Sequence, residues 1–171
     1  MTSSPSILPV PLLVAIRVQY RLEWNGIHGV PHWARVLRTG LALAEETKAR
    51  ADVVTLFLVF HDACRHNDNH DPEHGTRGAA LARSLPGHQF HLDNPGLALL
   101  LVACETHITG TYHPDVTVCT CWDADRLDLW RVGIRPLPSR LATEAGRHPQ
   151  LVREAIERSE RDEFPWREIS V

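Results

Sequence analysis

One stretch, Val53 to Asp62 (VVTLFLVFHD), constrains the fold of this chain more than any other. It is apolar almost all round, and a helix without a polar face is a buried helix. The run ends in His61 and Asp62, so its last turn carries an imidazole and a carboxylate into the core. An unpaired carboxylate there costs several kcal/mol or stays neutral by shifting its pKa, and a positive partner is needed. A divalent metal uses both groups at once, because neutral imidazole nitrogen and carboxylate oxygen are each good ligands for such ions.

The remainder reads as helices packed around that run. After a frayed start through Pro9, an amphipathic helix covers Pro11 to Trp24 and stops at Asn25-Gly26. A second begins near Pro31, where a proline in the first turn does no harm, and continues to Arg50. Asp52 is placed to cap the buried helix. The polar segment Arg65 to Arg77 (RHNDNHDPEHGTR) is mostly loop, with a helix emerging near Glu73 and ending by Leu85, before the breaker Pro86-Gly87. Further helices are expected from Asn94-Pro95 to about His107, over Val116 to Val132, and over Gln150 to Asp162, the last a solvated helix laid on the core by Leu151, Ala155 and Ile156. No strand periodicity occurs. The expectation is an all-α domain of about seven helices.

With 171 residues, 43% of them hydrophobic, the chain can bury one good core and is too short for two ordinary domains. A net charge of −3 provides no basic stripe for nucleic acid and no polybasic segment for a membrane surface. The apolar runs fall short of the roughly 20 residues that span a bilayer. The N-terminal segment lacks both the basic region and the cleavage site of a signal peptide. Cys64, Cys104, Cys119 and Cys121 form no CxxC pair, which suits reduced thiols in a cytoplasmic protein. Small solutes are the expected partners.

Helical geometry helps to choose among the other candidate ligands, against the plainer readings of His32 as a core histidine bonded to a carbonyl and of Asp123, Asp125 and Asp128 as a solvated helix face. At about 100° per residue His32 shares a face with Val36, Gly40 and Leu43, which points its imidazole inward, and Gly40 lets another helix approach. In CWDADRLDLW, Asp125 lies on the stripe of Val118, Trp122, Leu129 and Val132, whereas Asp123 lies roughly 160° away. Asp125 is therefore the inward carboxylate. Asp123 is left as a helix cap or a pocket-rim residue, and Asp128 as a partner that orients a ligand or an arginine.

The order His32, His61-Asp62, Asp125, carried by HGVPHWARV, LFLVFHDACRHNDNHDPEHG and CWDADRLDLWRVGIRP, resembles the HD-domain metal-dependent phosphohydrolase superfamily, and in particular its small stand-alone bacterial members. The resemblance covers residues 27–136 of a single domain over 1–171 and leaves 137–171 as a C-terminal helical extension. It implies the helical bundle of HD and phosphodiesterase-like proteins. It also implies a divalent ion (Zn, Mn, Fe, Co or Ni) held by His32, His61, Asp62 and Asp125, and hydrolysis of a phosphate ester of a nucleotide or related small molecule. A metal with an open position activates water and polarises a phosphoryl oxygen.

Arg65, Arg77 and Arg126 are candidates to clamp the phosphate, since guanidinium matches its oxygens in pairs. Asp68 or His74, with His66 and His70 as alternatives, would orient the water or protonate the leaving group. His107 is a candidate substrate contact, and His28, four residues before His32 and in the preceding loop, is expected to support a ligand or to line the pocket in preference to replacing His32 on the metal. In relatives with two metals the additional ligands are histidines between the HD pair and the last aspartate, which makes His74 and His107 candidates for a second ion, with His113 as a competitor. The alternatives in other classes are an HD-fold di-iron oxygenase and a metal-containing binding module without turnover.

Overall fold

The computed structural model describes residues 8–161 apart from 86 and 88. The frayed start before residue 8, the breaker Pro86 and the helix end at Asp162 lie outside the described residues. Within them the chain forms seven α-helices and no sheet: α1 Val10–Gln19, α2 Val30–Thr47, α3 Ala51–Phe60, α4 His74–Ser84, α5 Asn94–Thr106, α6 Val116–Leu127 and α7 Pro149–Glu160. Short 3-10 turns follow α6 at Leu129–Val132 and Pro138–Arg140.

α3 is the hub, in contact with α2, α4, α5 and α6. Val53, Val54 and every residue from Leu56 to Phe60 are buried, each large apolar side chain contributing about 1.5–3 kcal/mol relative to exposure. Gly40 lets α2 come close to α3 and α6 together: a Cβ there would stand 2.7 Å from Val54 Cγ1 and 3.3 Å from Ala124 Cβ. α7 closes the α2–α6 seam through a smaller core of Leu43, Leu127, Leu141, Val152, Ala155 and Ile156.

Several boundaries differ from the sequence expectation, each for a local reason. α1 stops at Gln19, and Tyr20 turns extended so that its ring can meet those of Trp24 and Trp33 edge-on. α2 stops at Thr47 because Lys48 takes a left-handed φ of 61° and the Thr47 hydroxyl accepts from Ala49 N–H. Asp52 is not a cap: Arg50 occupies that position, and Asp52 sits in the first turn accepting from Val53 N–H. α6 ends at Leu127 instead of running to Val132, because the Asp128 carboxylate is drawn inward to His32 and Arg35. Asp93 and Asp115 cap α5 and α6 through Gly96 N–H and Thr117 N–H.

Candidate metal centre

Each histidine of the centre is oriented by its Nδ1. At the end of α3, His61 stacks on Phe57 with ring centroids 4.8 Å apart and donates from Nδ1 to the Phe57 carbonyl at 3.1 Å. On α2, His32 donates from Nδ1 to Asp128 Oδ2 at 2.7 Å, and Asp128 Oδ1 accepts from Arg35 Nε and from Ser159 Oγ at 2.7 Å each. His74, first residue of α4, donates from Nδ1 to the Asp71 carbonyl at 2.5 Å. His107, just past α5, donates to the Cys104 carbonyl at 2.7 Å. A neutral imidazole whose Nδ1 donates has only a lone pair at Nε2.

Those lone pairs meet in two places. His32 Nε2 and His61 Nε2 are 3.0 Å apart, with Asp62 Oδ2 3.7 and 3.8 Å from them and Asp125 Oδ1 3.4 and 3.7 Å away. His74 Nε2 and His107 Nε2 are 2.9 Å apart, with Asp62 Oδ1 3.1 Å from His74. Gly75 permits that second approach, since a Cβ there would strike the Cys104 carbonyl and the His107 ring. His32, His61 and Asp62 form one cluster able to hold a metal, and Asp62, His74 and His107 form another. The Asp62 carboxylate is common to both, one oxygen to each.

The donor chemistry fits a divalent ion. Ligands about 2.1 Å from one ion stand about 3.0–3.4 Å apart at octahedral or tetrahedral angles, the spacing of the nitrogen pairs and of the shorter nitrogen–oxygen contacts. Two lone pairs face to face repel unless a cation lies between them. Burial pushes the His61 pKa down to about 3 and lowers that of His107, so these rings are neutral. Burial works in the opposite sense on Asp62, but its polar contacts, the hydrogen bond from His28 among them, outweigh it and hold the carboxyl well below its ordinary range. Asp125 is likewise held low, burial being outweighed by the charges around it, the Arg131 cation among them. Neutral imidazoles beside ionised carboxylates are the protonation states that metal ligation requires.

A cleft of about 450 Å³ opens over the centre, with Asp62, His74, His107 and Asp125 on its floor and His28, Arg65 and Arg126 among its walls. His32 and His61 lie behind that floor, fully buried. A larger hollow of about 600 Å³ beside Glu46, His113 and Glu144 contains none of the converging nitrogens. His113 faces it and accepts from Asp115 N–H. No family model, curated protein or solved structure matches this chain.

The other residues singled out from sequence fall in diverse places. Arg65 is buried, 3.3 Å from Asp62 Oδ1 and from both His74 ring nitrogens. Arg126 reaches the cleft, but its guanidinium already donates to the carbonyls of Arg140, His107 and Gly110. Arg77 lies off the cleft, donating to both Asp71 oxygens at 2.6 Å. Asp68, His66 and His70 are exposed and do not line the cleft. His28 presents Nδ1 to Asp62 Oδ2 at 2.9 Å. Asp123 is neither a cap nor a rim residue: fully buried, it accepts from Ala142 N, Thr143 N and Thr143 Oγ1 and anchors the following loop. Burial raises its pKa even against those donors.

Arg131 was not among the sequence candidates. Its guanidinium is pinned by Nε to the Ile27 carbonyl and Nη1 to the Asp128 carbonyl. That leaves Nη2 3.5 Å from His28 and Nη1 4.0 Å from Asp125 Oδ1, on the wall of the cleft. The available signal was its spacing, three residues after Asp128.

Proposed function

We propose that this chain is one HD domain over 1–171, with 137–171 as its C-terminal extension, acting in the cytoplasm as a metal-dependent hydrolase of a phosphate ester of a nucleotide or related small molecule. The observation that carries the reading is the Asp62 carboxylate between two pairs of facing imidazole lone pairs, at the floor of a cleft whose walls hold arginines. His32, His61, Asp62 and Asp125 hold one divalent ion, and His74 and His107 with Asp62 hold a second.

Ions bound there supply Lewis acidity toward a phosphoryl oxygen and activate water near neutral pH. Arg65 and Arg131 face the same region and neutralise the charge of the incoming phosphoryl group. The carbonyls that hold Arg131 keep its guanidinium in place before substrate arrives, so little side-chain entropy is lost on binding. His28 fixes Asp62 Oδ2, and Asp128 fixes the His32 ring, so that both ligands keep their direction through turnover.

A donor set with a shared carboxylate also suits two irons, which keeps the di-iron oxygenase as the second reading. The arginine-lined cleft favours an anionic substrate and places hydrolysis first. The test is elemental analysis of the purified protein, followed by phosphate release from a panel of nucleotides and simple phosphomonoesters with Mn, Co or Zn added. Chelator should silence the release and metal restore it. Activity that survives chelation, or a metal-replete protein inert on the whole panel, would overturn the hydrolase. A coloured iron protein consuming O₂ would install the oxygenase.

A further inference from the structure

The exposed part of the cleft lining has a character of its own. Ile108, Val132, Ile134 and Leu137 line it, and they are 45%, 37%, 54% and 52% exposed. Large apolar side chains left open to water are ordinarily scattered; four gathered around one concavity mark a surface that an apolar body covers. The same lining includes Arg135 and Arg140, both exposed. Half of the described arginines are ion-paired, as Arg50 is with Asp52 and Asp93, Arg77 with Asp71 and Arg83 with Glu105. Among the described residues, the side chains of Arg135 and Arg140 have no hydrogen-bond or ion-pair partner.

The wall that carries them is built. Gly133 turns the chain with a φ of 76°, Ile134 N–H returns to the Leu129 carbonyl, and Arg126 holds the Arg140 carbonyl. The cleft's carboxylates are Asp62 and Asp125, and both are turned to the histidines at the floor. One lining therefore combines buried metal-type ligands and Arg131 with exposed apolar side chains and two exposed guanidiniums that have no partner among the described residues.

We propose that Arg135 and Arg140 form a second anion subsite, so that the substrate is a phosphomonoester carrying a further carboxylate or phosphate group across an apolar spacer. The inference rests on the reading that the scissile phosphate lies at the floor. Guanidinium pairs suit either anion through paired N–H donors, and the apolar side chains take the spacer out of water. A substrate with one charge would leave these two cations with nothing to bind.

The experiment is calorimetric titration of the metal-loaded protein with non-hydrolysable phosphonates of two lengths: phenylphosphonate against 4-phosphonobenzoate, and biphenyl-4-phosphonate against its 4′-carboxylate. At one length or the other the carboxylate should tighten binding roughly tenfold, and added salt should erode the gain. Arg135→Ala/Arg140→Ala should erase that gain and leave the plain phosphonate unchanged, whereas Arg153→Ala, on exposed α7 surface, should leave both alone. Equal binding of each pair at both lengths, no binding by any of the four, or a gain that survives the double substitution would overturn the subsite. Phosphate release from the corresponding esters is scored separately. A carboxylate gain without turnover supports the subsite and removes the hydrolase; turnover without the gain does the reverse.

Discussion

The two clusters that share Asp62 are built differently. Around His32 and His61 the protein supplies two carboxylates, Asp62 and Asp125, and braces His32 with a third, Asp128, itself held by Arg35. Around His74 and His107 the described residues supply only the other oxygen of Asp62, brace both rings with backbone carbonyls, and set the Arg65 cation 3.3 Å from that same oxygen. Carboxylate charge attracts a divalent ion and guanidinium charge repels it. The first cluster should bind tightly and permanently, and the second should bind more weakly and exchange with the medium.

The residue common to both gives the most severe test. Asp62→Asn keeps the shape and removes the shared anion, so metal content should fall to near zero and any phosphatase activity with it. Retention of one tightly held ion in this variant would mean that the first cluster does not depend on Asp62. Splitting the clusters comes next. His107→Ala should cost one equivalent, the one that exchanges readily, and leave the other in place, while His32→Ala should lose the tight ion and lower the unfolding midpoint as well, since it removes the donor from buried Asp128 Oδ2. Equal losses in the two variants would erase the contrast.

The brace on His32 predicts a graded effect. Asp128→Asn leaves the ligand present but weakens its orientation and basicity, and substitutions at such positions typically cost about 10–100-fold in metal affinity. Competition with a chromogenic chelator measures it. No change in the tight site would assign Asp128 to holding Arg35 alone.

How far all this could be read from the chain depends on where each residue sits. α3 and its terminal His61-Asp62 were legible because an apolar run ending in charge has few physical solutions. Asp125 could be told from Asp123 because both lie within one regular helix, where about 100° per residue converts spacing into direction. For Arg131 the spacing to Asp128 was too weak a signal, because an unbroken helix would turn it about 120° away from Asp125, and only the break at Asp128 brings it to the cleft. Arg77 and Arg126 drew attention by charge alone. What occupies them, Asp71 for one and three carbonyls for the other, depends on tertiary contacts that leave no local trace.

Acid should weaken the metal-free fold in a defined window. His61 is held neutral down to about pH 3 by burial, against an ordinary value of 6.5, so between those limits the unfolded chain takes up a proton that the folded chain refuses. Stability therefore falls as pH drops through the window, by at most about 1.4 kcal/mol per pH unit for that proton. Asp62 and Asp125, whose pKa values are depressed, contribute stability above the unfolded carboxylate range and lose it further down, in the same direction. Denaturant midpoints in chelator at pH 7, 5.5 and 4 check this. A constant midpoint would show that the imidazole is not held neutral.

The smallest expected effect on the metal belongs to Asp123, although it lies two residues from a ligand and is more deeply buried. Its oxygens accept from Ala142 N at 2.7 Å, Thr143 N at 2.8 Å and Thr143 Oγ1 at 2.7 Å, on the side of α6 away from the histidines. Asp123→Asn retains one acceptor oxygen and turns an amide toward groups that are themselves donors, so about 1–3 kcal/mol of stability should be lost through the stranded N–H groups. Metal stoichiometry and chelator resistance should stay at wild-type values, because nothing in either cluster touches this carboxylate. Asp125→Asn should show the opposite pattern in metal binding, a weakened tight site. Metal loss from the Asp123 variant equal to that from the Asp125 variant would show that the loop it anchors, and not the direction of the carboxylate, governs the centre.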